Sequence, residues 1–404
     1  MSDTRHSTLF SDPNLHVIFA VTLMAMLGVA SVTPAFPKIS AELGVSPQAV
    51  GLLISAFTVP GAVLAPFLGI LADRFGRKPI LIPSLLLFGV AGAACGLVRD
   101  FELLLALRVL QGVGGAALGS INLTLIGDLY EGQRRTTAFG YNAGVLSIGT
   151  AVYPAVGGAL AMLAWYMPFF LPIIAVPVAL MVLTVLDNPE PTVQTDLGAY
   201  LREAMQLVRQ PQLLVMFATG VVVFVLLYGA YLAYLPFVLE ASYGATPLGI
   251  GSVFAAASVA TAVASFSLGA FARRFGEPNL IRGGFVLYVI VLACVPLVSS
   301  LWLIVLLAMG FGFANGMTIP SLLNLVAGTT SGEHRGVIMS VNGMVLRIGQ
   351  TLGPLFAGVA FGLVGLAGVF WVSAVLGVGM LGVLAVARLA TSGSSDAPVT
   401  PSGV

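Results

Sequence analysis

Twelve apolar runs, each about as long as the roughly 20 residues a helix needs to cross a bilayer, are the feature that leaves this chain fewest ways to fold. They occupy residues 15–37, 48–72, 80–98, 103–127, 136–163 and 166–186, then 212–239, 248–272, 280–298, 301–327, 335–363 and 366–387. In hydrocarbon every backbone N–H and C=O must be satisfied inside the chain, and a helix does this within one run. Composition agrees: 58% of the residues are hydrophobic and 8% charged, against about a quarter charged in soluble domains. Lipid is therefore the expected solvent. The formal net charge of +1 gives no bulk attraction to nucleic acid, and none is expected as a partner.

The basic residues set an orientation. Arg5, Arg74, Arg77, Lys78, Arg134, Arg135, Arg202, Arg209, Arg273, Arg274, Arg282, Arg335 and Arg388 fall on one side of the runs, and Lys38 and Arg99 on the other. Positive charge stays inside, which predicts cytoplasmic termini and a multi-pass protein of the plasma membrane, the inner membrane in a Gram-negative cell. Residues 1–14 lack a basic stretch and no small-residue cleavage site follows the first run, so that run reads as a retained helix. Cys95 and Cys294 each sit in an apolar run and read as buried structural thiols.

An internal repeat organises the runs. At an offset of 200 residues GILADRFGRKP (69–79) aligns with GAFARRFGEPN (269–279), SPQAVG (46–51) with TPLGIG (246–251), and YNAGVLSIGTAVYPAVGG (141–158) with VNGMVLRIGQTLGPLFAG (341–358). Each copy holds six spans, so the copies share a topology and are related by an axis along the membrane normal. The predicted fold is an all-α membrane protein of twelve transmembrane helices in two six-helix bundles with a pseudo-two-fold axis. The expected organisation is a cytoplasmic N-terminus at 1–14, a first bundle at 15–186, and a linker at 187–211 with an amphipathic helix. A second bundle at 212–388 and a disordered tail at 389–404 complete it. A cavity between the bundles, exposed alternately to the two sides, follows from this arrangement.

The stretch GILADRFGRKP resembles the loop between helices 2 and 3 of the major facilitator superfamily, roughly G-x-L-A-D-R-x-G-R-(R/K)-x, through Gly69, Asp73, Arg74, Gly76, Arg77 and Lys78. The resemblance implies a gate. Gly69 would permit close helix approach, and Asp73 would cap the start of helix 11 near Arg335 and Gly336. Arg74, Arg77 and Lys78 would bridge to Asp128, forming when the protein opens outward and breaking when it opens inward. Merely enforcing topology is the alternative role for the basic residues. In RVLQGVGGAALG (108–119) the chain resembles the R-x-x-Q-G-x-G motif of the superfamily's twelve-span drug:proton antiporters. That likeness implies a part for Arg108 in proton movement, with a snorkelling arginine as the alternative. In GTAVYPAVGG (149–158) it resembles the helix 5 antiporter motif at Gly149, Pro154, Gly157 and Gly158, with Tyr153 where the motif has glycine. The motif implies a bent helix that seals the halves together, and Tyr153 departs from it.

A charged group deep in a span is a functional hypothesis by default. Arg108 and Arg347 stand out; Arg347 lies about 18 Å along its helix, and its repeat mate is Ser147. No acidic residue lies deep in any run, so an anionic, zwitterionic or neutral substrate suits Arg347 better than a cation. Candidates to line a cavity are Arg108, Gln111, Asn122, Tyr231, Asn315, Asn342, Arg347 and Gln350, with Tyr228, Tyr231 and Tyr234 spaced by three as a binding wall or an interfacial belt. Asp73, Arg108 and Asp128 are candidates for proton coupling. No nucleophile–base pair, metal constellation or phosphate-binding loop is present in the sequence, so an enzyme and an ATP-driven pump are not expected, nor is any cofactor. The expected function is proton-coupled efflux of small amphipathic compounds by a monomer, with protons, a small-molecule substrate and the lipid bilayer as partners. Uptake or exchange of an organic anion is the alternative within the fold, and a non-transporting receptor or assembly factor the alternative outside it.

Overall fold

The computed structural model describes residues 9–187, 210–329 and 335–387, without the side chains of residues 66, 120 and 335–337. The predicted linker helix, the tail and the side chain of Arg335 lie outside what is described. Among the described residues there is no strand, and twelve helical rods account for the twelve runs. In the first bundle they are α1 (Pro13–Leu43), α2 (Pro47–Phe75), α3 (Arg77–Cys95), α4 (Phe101–Gly115 and Leu118–Leu129), α5 (Gly132–Leu163) and α6 (Met167–Val185). The second bundle holds α7 (Pro211–Tyr243), α8 (Pro247–Phe275), α9 (Glu277–Leu297), α10 (Leu301–Gly328), α11 (335–364) and α12 (366–386). By length and composition ten continuous helices are fit to cross a membrane. The number falls short of twelve because α4 is broken and because α11 runs into α12 through Gly365.

The repeat is written into the helix ends. Ser46 caps α2 by accepting the Ala49 N–H, and Thr246 caps α8 by accepting the Gly249 N–H, each ahead of a proline at the first helical position. Gly44 and Gly244 end the preceding rods at φ of 63° and 61°, and Gly76 and Gly276 turn the chain at 92° and 77°. These are conformations that a side chain disfavours. Gly365 has no such mate. At φ 72° and ψ −174° it sits where glycine alone is at ease, and it joins α11 to α12 in one residue. Gly365→Ala is expected to cost about 1–3 kcal/mol, read as a lower melting temperature of the purified protein; an unchanged melting temperature would show that the joint relaxes freely.

Several rods depart from the uniform helices that the runs predict. In α1 Pro34 and Pro37 give a 3₁₀ turn over Thr33–Ala35, and the rod continues to Leu43, past the expected end at 37. The start of α6, Met167–Ile174, is 3₁₀ because Pro168 and Pro172 supply no N–H to the ladder. Residues Leu227–Tyr234 of α7 form a π-helix, a widened turn often found at functional sites. The break in α4 falls at Ala116 and Ala117, directly after Gly114 and Gly115, which hold a helix weakly, and there the Ala116 N–H turns to the Val113 carbonyl.

Loops that carry the basic residues share one end of each bundle: Arg77 reaches Asp128, Tyr130 reaches Asp12, and Asn14 reaches Asp187. At the other end Tyr243 donates to the Val298 carbonyl, and Arg99 lies 3.7 Å from the Tyr166 ring centroid. There the bundles merge. Val29, Phe36, Ile39, Val50, Leu53 and Ile54 of the first bundle belong to the same buried apolar cluster as the core of the second, whereas the first bundle's basic end has a core of its own.

Candidate functional site

Two antiparallel helix crossings, α2 on α11 and α5 on α8, join the bundles. In the first, Ser55 Oγ donates to the Thr351 carbonyl at 2.8 Å, the Thr58 and Thr351 hydroxyls lie 2.9 Å apart, and a Cβ at Gly51 would stand 3.6 Å from Pro354. In the second, Ser258 Oγ donates to the Thr150 carbonyl at 2.9 Å. A Cβ added to Gly158 would collide with the Pro247 carbonyl, and one added to Gly251 with the Pro154 carbonyl. Backbones therefore touch without intervening side chains, as small residues allow. Further toward the basic end the crossings would continue through Gly69 and Gly343, and through Gly140 and Gly144, yet a Cβ at any of these four meets open space. The bundles are sealed at one end and parted at the other.

The expected close approach at Gly69 is accordingly not made in this conformation, where an added Cβ meets open space. The residues of the helix 5 motif lie on one continuous helix and face two different neighbours. Gly157 faces the Ser31 carbonyl of α1, Pro154 and Gly158 face α8, and Gly149 lies against Leu23. Tyr153 fits beside Gly149, half-buried within the first bundle.

At the basic end Arg77 donates to both Asp73 and Asp128, the latter at 3.0 Å through Nε. These are the ion pairs found among the described residues. Arg74 lies over the ring of its neighbour Phe75 and Lys78 donates to the Leu183 carbonyl, while the ion pair that Asp128 makes among the described residues is the one with Arg77. The expectation that this bridge breaks when the basic end opens does not hold for Arg77: it is closed here with the bundles parted. Asp73, Arg77 and Asp128 all belong to the first bundle, so a movement of one bundle against the other leaves them together. The Asp73–Arg335 contact lies outside the described side chains. Nearby, burial and the carboxylate of Asp12, which accepts the Tyr130 hydroxyl at 3.0 Å, push that phenol well above its usual range.

The two deep arginines have opposite surroundings. Arg108 is 1% exposed. Its Nε donates to the Leu53 carbonyl at 3.1 Å, Nη1 to Gln111 Oε1 at 2.6 Å and Nη2 to the Gly28 carbonyl at 2.9 Å. The Phe57 ring lies 4.7 Å from it. It pins α4 to α1 and α2 inside the first bundle, and with Gln111 it is enclosed rather than facing the space between bundles. It does not snorkel either. Arg347 is half-buried and crosses to the other bundle, where Nη2 reaches the Ala116 carbonyl at the α4 break at 3.4 Å. Gly61 and Gly119 make room for it.

The other candidates sort by bundle. Asn122 donates to Thr22, which donates in turn to Asn142 at 2.5 Å, a polar chain across α4, α1 and α5. Asn315 accepts the Tyr288 hydroxyl within the second bundle. Asn342 is buried with its Oδ1 unpartnered, and Gln350 is half-buried on α11. The three tyrosines of α7 do not form one wall, because the π-helix turns them apart. Tyr231 stacks on Phe311 at 4.4 Å inside the second bundle, Tyr234 packs on Phe361, and Tyr228 stacks on Phe224 beside Gly353 of α11. Reading along the sequence missed Gly61, Ala116, Thr58, Thr351 and Ser258, which build the junction. The signal available was the repeat itself, which pairs Gly51 with Gly251 and Gly158 with Gly358. Among the described residues no cluster of metal-ligating side chains occurs.

A sequence profile of the Major Facilitator Superfamily matches residues 18–244 and again 218–402. Quinolone resistance protein NorA of Staphylococcus aureus is 25% identical over 359 residues, 86% of this chain and 89% of that protein. The bacillibactin exporter of Bacillus subtilis is 29% identical over 369 residues, covering 84% and 88%. Among solved structures a point mutant of the nucleoside transporter NupG superposes with a TM-score of 0.79 at 15% identity, over 93% of this chain and 99% of that one. The human organic anion transporter MFSD10 does so with 0.69 at 20% identity, over 92% and 99%. These two likenesses establish the fold.

Proposed function

Since this chain belongs to the major facilitator superfamily and is a multi-pass membrane transporter rather than an enzyme, we propose that it exports small amphipathic compounds in exchange for protons. The observation that carries this reading is the asymmetry of the two bundles' contact: sealed through Gly158, Gly251, Ser55 and Thr351, parted beyond Gly61. One such arrangement and its mirror are what alternating access needs. The names of the relatives, a quinolone resistance protein and a bacillibactin exporter, support efflux. With the basic loops on the cytoplasmic side, the parted end opens inward and both termini are cytoplasmic, in the plasma membrane. The protein works as a monomer, since each transport path lies within one chain.

Proton coupling is assigned to the Asp73–Arg77–Asp128 cluster, whose carboxylates are partly exposed at the open end. The test is flux in proteoliposomes with an imposed pH gradient and an internal pH dye, challenged with cationic, neutral and anionic lipophilic compounds. Proton movement evoked by particular compounds, reduced about tenfold or more in Asp73→Asn, is the expected result; a catalytic-type proton carrier lost by mutation costs at least that much. No evoked proton movement for any compound would end the antiport reading.

A further inference from the structure

Arg347 is the one deep charge that the packing of either bundle leaves underused. The repeat does not require it, since its mate is Ser147. Its guanidinium offers five N–H donors, and the structure gives them one long bond, 3.4 Å to the Ala116 carbonyl. Arg108, by contrast, satisfies three acceptors at 2.6–3.1 Å. No carboxylate pairs with Arg347 among the described residues. A cation at this depth is costly unless an anion meets it. The carbonyl end of the Phe101–Gly115 segment offers a partial negative charge, which steadies the guanidinium without neutralising it.

Position adds a second argument. Arg347 reaches across the α2–α11 crossing beside Gly61, between the Ser55–Thr351 contact and Gly69 and Gly343, where an added Cβ meets open space. Space around it is kept by glycine: a Cβ at Gly61 would overlap Nη1, and one at Gly119 would lie 3.3 Å from Nη2. The facing titratable group is Tyr228, whose ring stacks on Phe224 and offers an apolar face next to the charge. Charge and an aromatic surface therefore meet beside the place where the bundles part.

We propose that Arg347 receives the carboxylate of an amphipathic organic acid, which replaces the Ala116 carbonyl as its partner, while the apolar body of the acid lies against Tyr228 and Phe224. A carboxylate matches the guanidinium fork with two charge-assisted bonds where the carbonyl gives one. The bond it displaces ties one bundle to the other, so binding also frees the contact that holds this conformation. The proposal rests on the transport reading above and names its substrate class.

The experiment measures binding to the purified full-length protein, using 1-naphthaleneacetate, 4-phenylbutyrate and dodecanoate, each against its uncharged primary amide. At least one acid is expected to bind about tenfold more tightly than its amide, a difference of about 1.4 kcal/mol, and Arg347→Gln is expected to abolish that preference while amide binding persists. Equal binding of all acids and amides by the wild type, or a preference that survives in Arg347→Gln, would overturn the proposal. If Arg347→Gln does not fold, Gly61→Ala decides: its added methyl displaces Nη1, and an unchanged preference would likewise overturn it. The binding readout does not need coupling. Acid preference without evoked proton flux removes the antiport reading and leaves this site, while flux driven by cations or neutral compounds without acid preference does the reverse.

Discussion

Gly251→Val is expected to lower transport about ten- to a hundred-fold while each bundle stays folded. The Cβ position at Gly251 is occupied by the Pro154 carbonyl, and the reciprocal position at Gly158 by the Pro247 carbonyl. Neither obstacle can rotate away, because both are backbone. A valine there must push α5 from α8, and overpacking of this kind costs about 1–3 kcal/mol. The whole cost falls on the sealed arrangement of that end, since within α8 the residue has room once the bundles separate. The equilibrium between the two arrangements then shifts by the same energy, about tenfold for each 1.4 kcal/mol. A Thr150→Cys and Ser258→Cys pair, placed where the Ser258 hydroxyl meets the Thr150 carbonyl, reports the seal by its rate of disulfide formation once Cys95 and Cys294 are replaced. That rate should fall with transport in Gly251→Val and stay unchanged in Gly382→Ala, where an added Cβ meets open space. Wild-type transport together with wild-type crosslinking in Gly251→Val would show that the crossing tolerates a side chain and is not a seal.

The second large effect belongs to Arg108. Arg108→Ala removes a fully enclosed side chain that links α4 to α1 and α2, leaves a cavity beside Phe57, and strips Gln111 Oε1 of its donor. Large-to-small changes at such sites cost about 3–5 kcal/mol, and an orphaned buried acceptor adds to that. The expected result is a marked fall in melting temperature and in the yield of folded protein. Arg108→Lys should fall between, because one ammonium cannot reach three acceptors spread over the guanidinium's fork. The Leu53 and Gly28 carbonyls remain in their own helices, so part of the loss is recoverable by Arg108→Met, which refills the volume. A melting temperature equal to wild type in Arg108→Ala would mean that the arginine serves transport alone. Substrate selectivity should follow Arg347 and not Arg108, since only Arg347 borders the open space.

Much of this protein was determined by its sequence. The length and spacing of the apolar runs leave helices as the solution in lipid, because no other element satisfies its own backbone there. The 200-residue repeat fixed two six-helix bundles, and local chemistry fixed the helix ends. Ser46 and Thr246 cap because a hydroxyl can accept the first free N–H, and Gly44, Gly244, Gly76 and Gly276 turn because only glycine enters those angles cheaply. Local reading failed where neighbours decide. The break in α4 and the 3₁₀ start of α6 sit at glycines and prolines that a count of apolar residues passes over, and the π-helix in α7 widens a stretch whose composition reads as regular helix. A three-residue spacing of tyrosines consequently says nothing reliable about a shared face once the pitch changes. Arg108 and Arg347 look alike in the sequence, each a lone arginine in an apolar run. Only the tertiary structure separates them, since the carbonyls and the glutamine that enclose Arg108 arrive from three helices, and the gap that leaves Arg347 short of a partner exists only where the two bundles meet.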